Sequence, residues 1–446
     1  MKAIRTIVFA VVTIGVLAAT VVLGLRAVRK RTSQPEAAGA ADVARRTSTQ
    51  VLSRPTPADR RIQAAERMIE QAGAKPGGYN LLCDAFTQKA RETGDFSFNT
   101  RAEAALKRSF EIAPNNYDAL KLQAKLLLTF HHFSEALETA RRAQSLQPRD
   151  HDNYGALTDA LVELGRYEEA VETAQQKVDL RPDTAAYARV SYLRALHGDT
   201  EGAIEAMQVA AKAASPRDPE SVAWCRVQLG EELMNAGRAA EAEREIDKAL
   251  IVFPDYYAAL AAKARARLTA GDTASAIELY KRAQERVPLP ETAIALGDLY
   301  TKLGQDSEAK RQYELVEFIE RSGSAGSGTY SRQIAHFWAD HDMKLDDALN
   351  IARRERAMRA DIFTCDTLAW SLFKKGEFAE ARKAIEEALR LGTRNAQIHY
   401  HAGMIYNALG DRRQGAKYLK LALDINPSFD VLQAEVARRT LDNINV

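Results

Sequence analysis

The chain has 446 residues, 46% hydrophobic and 27% charged, a globular composition rather than a disordered one. Its formal net charge is +2, and residues 1–31 carry Lys2, Arg5, Arg26, Arg29, Lys30 and Arg31 with no acid, so the remainder holds 2 − 6 = −4. A slightly acidic body argues against nucleic acid as the main partner, since phosphate binding needs a basic face.

The first element is Ile7 to Leu25, a run of 19 residues without charge. As a helix it would span roughly 28 Å, close to the thickness of a bilayer core. Cleavage after Ala18 or Ala19 would make it an export signal. The apolar run continues past both positions, and Arg26, Arg29, Lys30 and Arg31 follow at once, so a retained anchor over residues 1–31 is the favoured reading. With no cysteine near the segment, a lipoprotein is excluded. Two basic residues precede the span and four follow it. By that count alone the body would lie in the cytoplasm, yet a short basic head before an apolar run also opens exported proteins.

Residues 32–57, rich in Ala, Ser, Thr and Pro, read as a flexible linker. A helix is expected within 58–77, starting near Ala58 and stopping before Pro76. Then a phrase begins to recur. Aligned on one alanine, its copies place Ala102, Ala136, Ala170, Ala203, Ala242, Ala276, Ala309, Ala348 and Ala381, with Gly415 in the last slot. The spacings are 34, 34, 33, 39, 34, 33, 39, 33 and 34, the signature of stacked units.

One period shows how a unit is built. Tyr154, Leu157, Leu161 and Leu164 recur at helical spacing. Gly165 ends that helix, and Tyr167 packs at the turn. Glu168 and Glu169 open a second helix, where acids complement the dipole. Ala170, Val171, Ala174 and Val178 form its apolar stripe, and Pro182 closes the unit. One hairpin cannot bury both faces, whereas stacked neighbours can.

This pattern resembles the tetratricopeptide repeat. The Leu-Gly pair stands at Leu229-Gly230 and Leu296-Gly297, and as Ala402-Gly403 later. Small residues of the second helix stand at Ala242 and Ala249 and at Ala276 and Ala283, with closing prolines at Pro114, Pro148, Pro182, Pro254, Pro288 and Pro427. The resemblance implies an all-α, right-handed superhelical solenoid of about ten hairpins over 78–430, and the apolar run at 7–25 would precede it as a single N-terminal transmembrane helix. A polar-faced capping helix and tail at 431–446, with the helix spanning Ser428 to Asn443, would follow. The stretches RVSYLRALHGD, VPLPETAIALGDLY and GTRNAQIHYHAGMI are also similar to a group of bacterial envelope proteins of this family. That implies a single-pass protein of the bacterial inner membrane with its repeats outside the cytoplasm, binding proteins or peptides without enzymatic activity. An assembly factor or chaperone for envelope proteins and an enzyme with an unrecognised site on the solenoid are the alternatives.

Chemistry is sparse. SGSAGSG at Ser322–Gly328 lacks the Lys-Ser/Thr of a phosphate loop. His336 and His341 are five apart and His399 and His401 two apart, so neither pair has the spacing of ligands on one helix. Cys83, Cys225 and Cys365 make no ligand motif and read as small buried residues. No cofactor and no metal is therefore expected. Lys121 and Lys125 would begin a clamp for a partner's terminal carboxylate, but Ala156 stands where asparagine should, so no clamp is expected.

By the family frame, four positions of each first helix look into the groove. Early units place polar residues there, such as Asp118, Lys121 and Asp159, with Arg189, Tyr192 and Trp224 midway. Late units place Tyr330, Phe337, Phe363, Trp370, Tyr400 and Met404 there, a candidate groove for an apolar peptide or a partner's helix. Packing of these aromatics against neighbouring units or the capping helix is the competing expectation.

Overall fold

The structure, a computed structural model, describes residues 56–73, 75–323 and 331–445. The expected anchor at 7–25, most of the linker at 32–57, and Tyr330 lie outside the described residues. Among the described residues there are 22 α-helices and no strand, and no helix is long and apolar enough to cross a membrane.

Helix α1 (Pro57–Ala72) leads into ten antiparallel hairpins. The first four pair α2 (Pro76–Thr93) with α3 (Ser97–Ile112), α4 (Tyr117–Thr129) with α5 (Phe133–Leu146), α6 (Asp152–Glu163) with α7 (Tyr167–Leu180), and α8 (Thr184–Leu196) with α9 (Thr200–Ala213). The middle three pair α10 (Pro219–Asn235) with α11 (Ala239–Val252), α12 (Tyr257–Thr269) with α13 (Thr273–Arg286), and α14 (Pro290–Lys302) with α15 (Asp306–Gly323). The last three pair α16 (Ser331–Asp340) with α17 (Leu345–Met358), α18 (Ile362–Lys374) with α19 (Phe378–Ala388), and α20 (Ala396–Ala408) with α21 (Arg412–Ile425). Helix α22 (Gln433–Asn445) ends the chain.

Helix starts are fixed by side chains that accept a backbone N–H of the first turn. Asp183 caps α8, Asp199 caps α9, Asp361 caps α18 and Asn395 caps α20 in this way. The aligned alanines, Ala102 through Ala381, are at most 4% exposed and let the paired helices approach closely. In α7 the buried stripe differs from expectation. It runs through Tyr167, Ala170, Ala174 and Lys177, while Val171 is 44% exposed. Lys177 fits because its stem lies in the interface while Nζ donates to the carbonyl of His151 at 3.2 Å.

The stack closes on itself. A single apolar core joins Leu157, Leu161, Ala170 and Leu196 of the third and fourth hairpins to Ile362, Leu372, Ile385 and Ile398 of the last two. Polar contacts follow the same seam. The amide of Ala360 donates to the carbonyl of Glu163 at 2.9 Å, and that of Ile362 donates to the Tyr167 hydroxyl at 2.9 Å. Arg359 reaches the Glu163 carboxylate at 3.2 Å, Arg390 reaches the carbonyl of Gly165 at 3.1 Å, and Thr393 donates to the carbonyl of Leu196. Two glycines make the approach possible. Gly165 has φ +70°, and a Cβ there would sit 2.5 Å from the Ala360 oxygen. Gly198 has φ +76°, and a Cβ there would sit 2.6 Å from the Gly392 oxygen.

Candidate functional site

The late groove is filled rather than open, which corrects the expectation of exposed aromatics. Phe337, Trp370 and Tyr400 are each 1% exposed, and Phe363 and Met404 are half-buried. Tyr330, the sixth candidate, is outside the described residues. The cause is the end of the chain. Trp370, Tyr400 and Met404 share a core with Phe429, Ala437 and Leu441, so the C-terminal segment and α22 occupy the space a ligand would need. The Tyr400 hydroxyl donates to Gln433 at 2.7 Å, and Gln433 donates to the carbonyl of Asp340 at 3.3 Å. Trp370 stacks on Phe373 with centroids 4.8 Å apart, and its indole donates to Asp340 at 2.8 Å. Phe337 packs instead between Tyr313 and His341.

Around these aromatics lies a network of imidazoles and carboxylates. His336 Nδ1 lies 2.8 Å from Asp340 Oδ2, His341 Nε2 lies 2.8 Å from Asp298 Oδ1, and His401 Nδ1 lies 2.8 Å from Asp366 Oδ1. Burial alone would depress the His336 imidazolium, but the charge and hydrogen bond of Asp340 outweigh it and lift the ring to about 9. Burial would likewise raise Asp340, yet His336, followed by His401 and His341, holds it at about 2. Asp430 goes the other way, pushed up to about 6 by burial and then by the Asp340 charge. His401 is 0% exposed, and His336, at 19% side-chain exposure, is the least covered ring of the three.

The spacing rule misses this convergence because it searches one helix at a time. His336, Asp366 and His401 sit on α16, α18 and α20, the first helices of three successive hairpins. The rings of His336 and His401 come to 5.2 Å between centroids. Comparing equivalent turns one repeat apart is the signal that finds them.

Of the positions expected to face a groove, the exposed aromatics lie earlier in the chain. Tyr192 is 44% exposed and Trp224 37% exposed. The Tyr192 phenol is pushed up by its recess and by the charges of Glu163 and Asp361. Beside it, Arg189 forms a two-pronged ion pair with Asp159, at 2.8 Å through Nε and 2.6 Å through Nη2. Gly155 leaves room for that guanidinium, which lies 3.1 Å from where a Cβ would stand. In the second hairpin Lys121 is engaged by Asp150 at 2.7 Å, and Tyr117 donates to the same carboxylate at 2.9 Å. Burial opposes it, but these partners, Lys121 foremost, hold Asp150 at about 2. The cysteines are buried and unpaired, and burial pushes the Cys83 and Cys225 thiols up to about 12.

Comparison with known proteins gives a family match and several structural likenesses. The tetratricopeptide repeat model matches residues 156–219, 227–289 and 367–428. A thermophilic protein of these repeats from Thermus thermophilus is 21% identical, over 42% of this chain and 99% of its own, with a TM-score of 0.37. A tetratricopeptide repeat protein from Parabacteroides merdae is 20% identical over 63% of this chain and 100% of its own, with a TM-score of 0.34. Yeast Tom70 is 13% identical over 92% of this chain and 97% of its own, with a TM-score of 0.36. No curated protein matches the sequence.

Proposed function

We propose, from the premise that this chain is a tetratricopeptide-repeat protein, that it is a non-enzymatic adaptor holding a protein or peptide partner at a bacterial envelope membrane. The observation that carries the partner role is the open stretch on α8 and α10. There Tyr192 and Trp224 remain exposed, and Arg189, one turn before Tyr192 on α8, is fixed by Asp159. Exposed aromatics on a rigid frame are enriched where partners bind, because they release much ordered water at small entropic cost. The filled late groove offers no such surface in this state. The membrane part of the proposal is supported by the uncharged run from Ile7 to Leu25 and the basic residues around it.

In-cell crosslinking of the full-length protein, followed by purification from membranes and mass spectrometry, tests the adaptor. One recurrent partner is expected, lost on Tyr192→Ala/Trp224→Ala. Recovery unchanged by the double substitution would sink the assignment of this patch. A diffuse set of unfolded clients would replace the adaptor by a chaperone of envelope proteins. Fractionation of the same cells tests the anchor: the chain should leave the membrane only with detergent.

A further inference from the structure

We propose that His336, Asp366 and His401 bind a divalent transition-metal cation of the zinc class inside the late hairpins. One donor atom from each of the three lies within 4.8 Å of the others. They are carried by three packed helices rather than by a loop, so the donors are held before any ion arrives. Side-chain exposure is 0% for His401, 6% for Asp366 and 19% for His336. The less covered His336 gives the side from which a hydrated ion enters.

His401 turns Nδ1 to Asp366, 2.8 Å away, so Nδ1 is the nitrogen placed to share an ion with that carboxylate. Its far-side Nε2 is fully buried and has no hydrogen-bond partner among the protein atoms.

The chemistry of the donor set selects the ion. Two imidazoles and one carboxylate suit zinc and its neighbours better than calcium or magnesium, which favour all-oxygen shells. The surroundings supply a positioning residue. Asp340 accepts from Trp370 through Oδ1 and faces His336 Nδ1 through Oδ2, which orients the ring as carboxylates orient ligand histidines in metal centres. The mostly half-buried trio Asp150, His151 and Asp152 also gathers within 4.8 Å, but Asp150 is already engaged by Lys121 and Tyr117.

The test uses the full chain, stripped with a chelator and titrated with Zn²⁺ by calorimetry and with Co²⁺ by visible absorption. One equivalent per chain is expected, with the intense bands of four-coordinate cobalt. Zinc at about a hundredfold excess over its Kd should raise the melting temperature by several degrees. His401→Gln and Asp366→Asn should each abolish both signals, whereas Asp152→Asn should leave them intact. His336→Gln, at a partly exposed site, covers the case in which a buried variant does not fold; it should abolish uptake while still melting cooperatively. Absence of stoichiometric uptake overturns the proposal and leaves a proton-balanced histidine network. Uptake that survives His336→Gln, or disappears with Asp152→Asn, also overturns it.

Discussion

The early and late hairpins are built from the same repeat and do opposite things. At the early and middle hairpins, polar pairs such as Lys121–Asp150 and Arg189–Asp159 line the surface, and Tyr192 and Trp224 remain in contact with solvent. At the late hairpins the same register carries Phe337, Trp370 and Tyr400, and all three are buried. The difference shows that a groove-facing register is an address in the repeat, not a measure of exposure. What decides exposure is whether another part of the chain reaches that address: α22 does so for Trp370 and Tyr400, while Tyr313 and His341 enclose Phe337.

The sharpest way to test this contrast is to shorten one aromatic from each end. Trp370→Ala should cost about 3–5 kcal/mol, as large buried side chains do, and chemical denaturation should register it. Trp224→Ala should stay within about 0.5 kcal/mol, as substitutions on open surface do. Equal losses at both positions would erase the distinction between the two ends.

A second pair separates the seam from the ordinary turn. Gly165 and Gly237 have φ of +70° and +74°, but only at Gly165 would a Cβ meet a neighbour. Each change to alanine should cost about 1–2 kcal/mol for the left-handed conformation. Gly165→Ala should lose more, because the added carbon overlaps the Ala360 carbonyl. Matching denaturation midpoints for the two variants would mean that the seam yields without cost.

A smaller effect should come from protons. His131 lies on the turn between α4 and α5; burial, then the charges of Arg359, Arg332 and His132, depresses its imidazolium to about 4. The unfolded chain takes up this proton near 6.5, so its stability contribution is present above that value and is lost as pH falls toward 4. His399 behaves alike, while Asp430, raised to about 6, works in the opposite sense. The difference between the parent and His131→Asn therefore isolates the effect, and asparagine tolerates the φ of 60° found there. The parent should lose stability relative to the variant between about pH 6.5 and 4 in thermal melts. Parallel curves would show that the fold is indifferent to this ring's proton.

The hairpins are legible in the sequence because their causes are local. Ala170 and Gly165 announce a close helix contact and a helix stop from their neighbours alone. The seam is not legible, since Glu163 and Ala360 meet through the pitch of the stack, which arises from small rotations summed over many units. Gly165 is thus readable as a stop and unreadable as a contact. Periodicity sets the stripe of α7 one step out at Val171, because it treats Lys177 only as a charge and not as a stem with an apolar length. Trp370 and Tyr400 fall in the correct register, but register does not say that the chain's own last helix returns to cover them. Spacing within one helix discards the histidines, whereas stacking makes residues one repeat apart into neighbours.

The seam also changes how this array should come apart. A linear stack frays from its ends, because a terminal hairpin has one neighbour and an inner hairpin two. Here Tyr167 of the third hairpin and Ile362 at the start of the ninth hold each other, so the hairpins between them form a closed circuit. Opening any one of them must strain or break the seam. Amide exchange across that circuit should rise together rather than grade inward from the termini.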